Sequence, residues 1–400
     1  MDYTSIYNED LLKTDRVINS GRAYQQCSLS ILDTIADPDI NFDKNGVSNY
    51  YYQYKKLEEE TVLRGEAAKL KISQEIEKIK SLARGNKYDC IIGLSGGADS
   101  TYMAYLAKQW GLNPLLVHFD YGWNLESAVQ NIERTVRTLG FDLYTYVMDW
   151  KEFRQLLRAY FKASVMDLDV PADHLIFAAL SKTASSMNIK ILMKGYNTVT
   201  EGVLPRSWSY QRKFDLANLQ DIYKQFGEDP IKKLPKFGVW QRTYYDYFKY
   251  IRSFSPLNYV DYNRKAVIEL LAKEMGWMDY GGKHCENIFT RFYQGYILPK
   301  KFHIDKRKAH YSTLIFSGQM SRDEALSRIK LPPYDLGEMQ EDKLYVAKKL
   351  GFTLTEFDSL MEMPPRLHTE FKDEVHLERT LDKLFTLTKT IHPAIKWLKK

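Results

Sequence analysis

Two hydrophobic periods alternate along the middle of this chain. Cys90-Ile91-Ile92 is a short apolar run with Leu94 just beyond it, the composition of a strand buried on both faces. A helical pattern follows over residues 100–110 and stops at Gly111. Residues 115–119 are apolar again and end in Asp120-Tyr121-Gly122. The order then repeats: a helix over 126–139 closed by Gly140, a strand over 143–147, helices over 151–163 and 174–187, and a strand over 189–193. Strands alternating with helices predict an α/β fold, a doubly wound parallel sheet covered on both faces. In such sheets the site lies beyond the carboxyl ends of the strands. Here those ends carry Ser95 to Ser100, His118 to Asp120, and Gly195 to Glu201.

The flanks have a different texture. An irregular leader holds turn residues between Asp37 and Asn49. A Glu-, Lys- and Leu-rich stretch over 56–83 then predicts one long amphipathic helix, with Gly85 placed to end it. Beyond residue 203 the pattern is helical and aromatic-rich. Residues 240–245 read as helix packing, 261–275 as a helix, and Ser321-Arg322-Asp323-Glu324 and Thr355-Glu356-Phe357-Asp358 as capping boxes. These shifts divide the chain into an N-terminal extension (1–85), a sheet domain (86–215) and a helical C-terminal substrate or partner region (216–400).

Composition narrows the class. The 400 residues are 44% hydrophobic and 27% charged, an ordinary globular balance. A net charge of +6 is mild for this length; it suits a small anionic substrate and makes no case for nucleic acid. Three cysteines, Cys27, Cys90 and Cys285, stand too far apart to read as a disulfide framework. With no secretory signal and no apolar run near the roughly 20 residues of a membrane span, the expected location is the cytoplasm.

The chemistry starts at Ser95-Gly96-Gly97-Ala98-Asp99-Ser100. Glycines let the backbone bring N–H groups close to an anion, and the helix after them offers unpaired amides with positive partial charge. The phosphate loop G-x-x-x-x-G-K-[ST] needs a lysine that is missing here, and G-x-G-x-x-G does not fit. A chance Gly-Gly turn before a helix is the bland alternative. The hexapeptide resembles the signature of the PP-loop ATP pyrophosphatases, a HUP-like, adenine nucleotide α-hydrolase-like fold whose members split ATP between its α and β phosphates.

Further pieces resemble one branch of that superfamily, the N-acetyl sugar amidotransferases of bacterial surface-polysaccharide (O-antigen) biosynthesis. They are Asp33-Thr34 with Asp37-Pro38-Asp39-Ile40, Val117-His118-Phe119-Asp120-Tyr121-Gly122-Trp123-Asn124, and Pro171-Ala172-Asp173-His174. Gly195-Tyr196-Asn197-Thr198-Val199-Thr200-Glu201-Gly202 with Ser207-Trp208 comes next, then Leu257-Asn258-Tyr259-Val260-Asp261-Tyr262. Lys283-His284-Cys285-Glu286-Asn287, Phe289-Thr290-Arg291-Phe292 and Asp305-Lys306-Arg307-Lys308 close the set. The resemblance implies that ATP and Mg2+ adenylylate the acetamido oxygen of a nucleotide-linked sugar, and that ammonia displaces AMP to leave an acetamidino group. It assigns Ser95, Gly96, Gly97, Ser100 and Gly195 to the phosphates and Asp99 and Glu201 to magnesium. His118 and Asp120 fall beside the nucleoside, Asn197 and Lys283 on the phosphate side, and Asp173, His174 and Arg291 towards the sugar. The implied partners are a glutaminase subunit resembling the glutaminase half of imidazole-glycerol-phosphate synthase and its barrel-protein companion.

One departure stands out. Where the family commonly carries two Cys-x-x-Cys pairs, this chain has Cys27, Ser30, Ser48 and Tyr51. One thiolate cannot close a tetrahedral site, so no structural zinc is expected. A PP-loop tRNA-modifying enzyme and a non-catalytic nucleotide-binding relative remain as alternatives. An asparagine-synthetase-like enzyme with its own glutaminase is not expected, because Asp2 stands where its cysteine would follow an initiator methionine.

Overall fold

The computed structural model describes residues 22–280, 282 and 285–391. The expectations at Asp2 and Lys283 lie outside the described residues. Among the described residues the first helices are α1 (Asn49–Thr61) and α2 (Gly65–Leu82), followed by alternating β1 (Cys90–Gly93), α3 (Ala98–Gln109), β2 (Pro114–Asp120), α4 (Glu126–Leu139), β3 (Leu143–Val147), α5 (Trp150–Ala163), α6 (Val170–Ser186), β4 (Ile191–Met193) and α7 (Thr198–Glu201). A fifth strand, β5 (Arg252–Phe254), joins the sheet, and helices dominate the described residues from there to Ile391.

The sheet order is β3-β2-β1-β4-β5 with every pairing parallel, the doubly wound arrangement expected. The order reverses between β1 and β4, which makes their carboxyl ends the natural crevice. Alternate strand residues enter two different cores. Ile91, Leu115, Val117 and Phe119 pack with Phe153, Leu156 and Leu175 of α5 and α6. Cys90, Ile92, Leu116 and Met193 pack with Met103, Ala104 and Ile132 of α3 and α4. Period-two alternation with both faces apolar is what a sheet clad on two sides requires.

Several local expectations are corrected. The single helix over 56–83 is two, broken at residues 62–64, where Leu63 N–H donates to Asn258 O (3.1 Å) and Gly65 adopts φ +63°. Helix α3 starts at Ala98 rather than Ser100, because Gly97 takes the extended N-cap conformation. Helix α6 starts at Val170 rather than His174, with Pro171 in its first turn. Near the C-terminus the capping box is Thr353 with Glu356, two residues earlier than Thr355. Ser321 caps its helix, but Glu324 pairs with Arg328 (2.8 Å). Strand β5 comes from the stretch after residue 216, whose pattern reads as helical.

Hydrogen bonds and ion pairs latch the N-terminal segment. Cys27 Sγ accepts the Ser48 N–H (3.3 Å). Burial pushes the Cys27 thiol up, but hydrogen bonds from Ser30, Ser48 and the backbone outweigh it and set it below its ordinary value. Lys308 Nζ pairs with buried Asp33 (2.6 Å), Ser207 Oγ donates to Asp37 (2.8 Å), and Arg322 donates to Gln26 Oε1 (2.9 Å) and Ser30 O (3.0 Å). Motif pieces that lie far apart in the sequence therefore meet as fasteners. Elemental analysis is expected to find less than one zinc per chain, with the thermal transition unmoved by a strong chelator. A full equivalent of zinc would mean that other ligands had been recruited.

Candidate active site

At the end of β1 the chain turns through Leu94 to Gly97 and enters α3. Gly96 has φ +84°, and a Cβ there would overlap the Ala128 carbonyl oxygen while lying 3.1 Å from the Ala128 carbonyl carbon, so only glycine fits. A Cβ on Gly97 would meet Ser95 Oγ and Tyr280 Oη, each at 3.1 Å. Ser95 Oγ accepts the Gly97 N–H (3.2 Å), Ser100 Oγ accepts the Ser95 N–H (3.3 Å), and Ser100 Oγ donates to Gly97 O (3.1 Å). Small hydroxyls and backbone amides thus line a cradle at the N-terminus of a 12-residue helix.

The carboxyl end of β4 closes the other side. A Cβ on Gly195 would lie 3.3 Å from the Asp99 carbonyl carbon and 3.4 Å from Ser100 N, so the two segments touch backbone to backbone. Asn197 caps α7, its Oδ1 accepting from Thr200 N (2.9 Å) and Thr200 Oγ1 (2.8 Å); among the described residues its buried Nδ2 has no partner. Tyr262 Oη donates to Asp99 Oδ1. Burial pushes the Tyr262 hydroxyl pKa up, the Asp99 carboxylate adds to this, and Glu201 acts in the same direction. Both carboxylates thus lie within electrostatic reach of the Tyr262 hydroxyl. Among the described residues no group of three or more His, Cys, Asp and Glu side chains is arranged around a metal position. Two carboxylates still fit magnesium, which commonly takes one or two of them and completes its shell with substrate phosphates and water.

Residues to which the sequence assigned no role hold this cradle in shape. Trp277 Nε1 donates to Gly96 O (3.0 Å), while Asn131 Oδ1 accepts Met278 N–H and Asn131 Nδ2 donates to Met278 O, both at 2.8 Å. Because a trans peptide is planar, fixing the Gly96 carbonyl also fixes the Gly97 N–H on the opposite side, where Ser95 Oγ accepts it. Asn258 Oδ1 accepts Thr198 N–H (2.8 Å) and so sets the start of α7. Asn131 left one signal in the sequence, a polar residue on the apolar face of an amphipathic helix between Ala128 and Ile132. Trp277 left none.

The remaining expected residues divide. Asp120 sits at the end of β2, where its Oδ1 accepts Gly122 N–H (2.9 Å) and orders the loop after the strand. His118 is buried between Leu94 O (3.0 Å from Nδ1) and Asn124 Nδ2 (3.0 Å from Nε2), which ties β2 to the cradle loop and leaves no ring nitrogen for a nucleoside. That expectation is corrected. So is His174, whose Nδ1 faces Lys213 O (3.2 Å) and whose Nε2 accepts Phe237 N–H (3.1 Å) inside the core. Arg291 grips Asp342 through two bonds of 3.0 and 2.9 Å and lies over the Tyr334 ring, so it fastens a C-terminal helix instead of facing a sugar. Asp173 is 40% exposed and pairs with Lys213 (3.2 Å), which also holds buried Asp167 (2.6 Å). Nearby Asp169 carries no motif signal: burial pushes its carboxyl up to about 6, against the pull of Lys306.

Burial pushes His174 and His368 down to about 4. In the unfolded chain both titrate near 6.5. Between those values the unfolded state binds more protons, so stability falls as pH drops from 6.5 towards 4, by on the order of 2–3 kcal/mol for each imidazole. Urea midpoints taken at pH 7 and pH 4.5 measure this. Equal midpoints would mean that the imidazoles are not held neutral.

Comparison with known proteins finds two matching families, each over part of the chain. Residues 286–384 match the family described as LPS biosynthesis protein WbpG-like, C-terminal domain. Residues 89–179 match the family of the queuosine biosynthesis protein QueC. No curated protein matches the chain. Among solved structures it is similar to the NMN synthetase from Francisella tularensis (14% identity, TM-score 0.35, covering 70% of this chain and 97% of that one). It is similar as well to the NH3-dependent NAD synthetase from Campylobacter jejuni subsp. jejuni NCTC 11168 in complex with the nitrate ion (14%, TM-score 0.32, 74% and 98%). A third is the U34-tRNA thiolase NcsA from Methanococcus maripaludis with its [4Fe-4S] cluster (14%, TM-score 0.31, 67% and 86%). Among the described residues no helix is long and apolar enough to cross a membrane.

Proposed function

We propose that this chain is an ATP-consuming synthetase that activates the acetamido oxygen of an N-acetylated, nucleotide-linked sugar and replaces it with nitrogen. The observation that carries the reading is the cradle: a glycine turn at a helix N-terminus, at the point where the strand order reverses, with the β4 segment touching it at Gly195. The match of residues 286–384 to a family of LPS biosynthesis supports a sugar as the substrate.

Amide oxygen is a poor leaving group, and esterifying it with a phosphate removes that obstacle. The acetamido oxygen attacks the α-phosphorus, the bond to the β-phosphate breaks, and pyrophosphate leaves with the electron pair. Ammonia then adds its lone pair to the activated carbon. The added nitrogen gives up one proton to solvent, AMP departs carrying the former carbonyl oxygen, and the product is an acetamidine in its protonated, amidinium form. In the first step this chain's part is to receive negative charge: Ser95, Ser100 and the amides at the start of α3 hold the departing pyrophosphate, with Asn197 Nδ2 and Lys283 as further donors. Magnesium, when bound at Asp99 and Glu201, neutralises phosphate charge. Asp120 borders the nucleoside, and Asp173, with Lys213 fixing its carboxylate, is the residue we place at the sugar.

The test is incubation with ATP, magnesium, ammonium and candidate N-acetyl sugars, read by mass spectrometry for oxygen replaced by NH and by chromatography for AMP and pyrophosphate. ADP and phosphate as products would remove the assignment. The isolated chain is expected to use ammonium, better at raised pH, and to ignore glutamine, because opening glutamine's amide usually takes a thiolate nucleophile. Burial pushes the Cys285 thiol up to about 11, far from that state. Addition of a glutaminase and its barrel-protein companion should confer glutamine use. Release of glutamate by the chain alone would end the partner proposal.

A further inference from the structure

Strand β3 lies at one end of the sheet and, among the described residues, pairs with β2 and with no other strand. Its sequence, Leu143-Tyr144-Thr145-Tyr146-Val147, has strong β-propensity and no charge, proline or glycine. Leu143 is 36% exposed, Tyr144 39% and Val147 68%. Natural edge strands are usually blunted by charges, bulges or covering segments, and a flat apolar edge left open is a template for another strand.

The phase of the ladder fixes which groups face outward. Leu116 N–H donates to Asp142 O (3.0 Å) and Met148 N–H to Asp120 O (2.9 Å), so even-numbered residues from 142 to 148 turn their backbone groups towards β2. Leu143, Thr145 and Val147 therefore present both N–H and C=O to the open side. We infer that β3 is a homodimer edge, two copies of this chain pairing their β3 strands antiparallel about a two-fold axis through Thr145.

That register is self-complementary. Thr145 stands opposite its own copy, Leu143 opposite the second copy's Val147, and Tyr144 opposite the second copy's Tyr146. Each pair centred on Leu143, Thr145 or Val147 exchanges both N–H···O bonds. Apolar and aromatic side chains meet across the strands with no like charges opposed. The strand ends agree in charge. Lys87 pairs with Asp142 at the start (2.8 Å) and Lys233 with Asp149 just past the end (2.6 Å). An antiparallel arrangement lays one end beside the other, so each lysine finds the second copy's aspartate within its neighbourhood. One surface meeting itself gives the closed two-fold contact commonest among soluble oligomers. The result is a continuous sheet running through both copies, with the two cradles far apart at its carboxyl ends.

Sedimentation of the full chain at about 10–100 µM should give twice the 46.9 kDa chain mass. Thr145→Pro removes an outward N–H without touching the β2 ladder, and Val147→Lys places a charge against Leu143 of the second copy; both should sediment as monomers with unchanged circular dichroism. Thr145→Cys should form a disulfide-linked dimer on mild oxidation, because a directly opposed pair sits about 5.5 Å apart at Cα, inside the bridging range of about 4.4–6.8 Å. Leu143→Cys, facing the second copy's Val147, should not. A wild-type chain that stays monomeric overturns the inference and leaves the edge to a strand of another protein. A dimer that survives both Thr145→Pro and Val147→Lys overturns it in favour of a different contact surface.

Discussion

Asp99→Asn should lower ATP-dependent AMP release by roughly 10²- to 10³-fold, the scale on which removing one charge-stabilising group acts in comparable sites. The melting temperature should hardly move. The substitution keeps an acceptor for the Tyr262 hydroxyl and removes only the negative charge. Asp99→Ala is a less clean experiment, because it strands the hydroxyl of a tyrosine that is 4% exposed, at a cost of about 1–3 kcal/mol. Tyr262→Phe separates the two effects: the charge remains, the hydrogen bond goes, and the loss of rate should be smaller than in Asp99→Asn. Retention of the rate within a few-fold by Asp99→Asn would end the placing of Asp99 in phosphate and metal handling.

Gly96→Ala should abolish nucleotide binding, with Gly85→Ala as its matched control. Both glycines have φ +84°. An alanine at Gly85 meets nothing within 4 Å, so it bears only the strain of the left-handed conformation, about 1 kcal/mol. An alanine at Gly96 bears the same strain and collides with backbone atoms of Ala128. Backbone cannot swing aside like a flexible side chain, so the loop itself must move, and its amides leave the positions that face the phosphates. Calorimetric titration with ATP should show near-wild-type affinity in Gly85→Ala and at least a 100-fold weaker one in Gly96→Ala, an effect of about 2.7 kcal/mol or more. Equal affinities would mean that the turn is not the anion site.

The two-sided sheet was legible in the sequence because its strands are apolar on both faces and its helices end at glycines, of which Gly140 takes the left-handed conformation. Strand β5 was not. Arg252-Ser253-Phe254 is three residues long, comes after an aromatic crowd, and becomes a strand only because β4 offers an unpaired edge. The break between α1 and α2 was hidden for a related reason: Glu, Lys and Leu continue across it, and a hydrogen bond to residue 258 decides where the helix stops. Within the site, glycines and small hydroxyls announced the cradle since few other roles need them at that spacing. The histidines misled. His118, His174 and an arginine, Arg291, are as well suited to fastening a buried joint as to catalysis, and only their hydrogen-bond partners distinguish the two. Trp277 acts through a contact 181 residues away, which no local pattern records.

That long reach has a consequence for the order in which the molecule becomes competent. During synthesis at about 5–20 residues per second, the glycine turn is made early but waits for Asn258, Tyr262 and Trp277 before its carbonyl and its carboxylate are held. A half-made chain has the loop's sequence without the loop's shape, and it cannot consume ATP unproductively. The same coupling runs in reverse. Nucleotide binds the finished arrangement and not its parts, so saturation at 100 times the dissociation constant should stabilise strands and C-terminal helices together by about 2.7 kcal/mol. ATP thereby acts as an inspector of completed folding, and a chain severed between the sheet and residue 277 should lose its nucleotide affinity even with every residue of the cradle present.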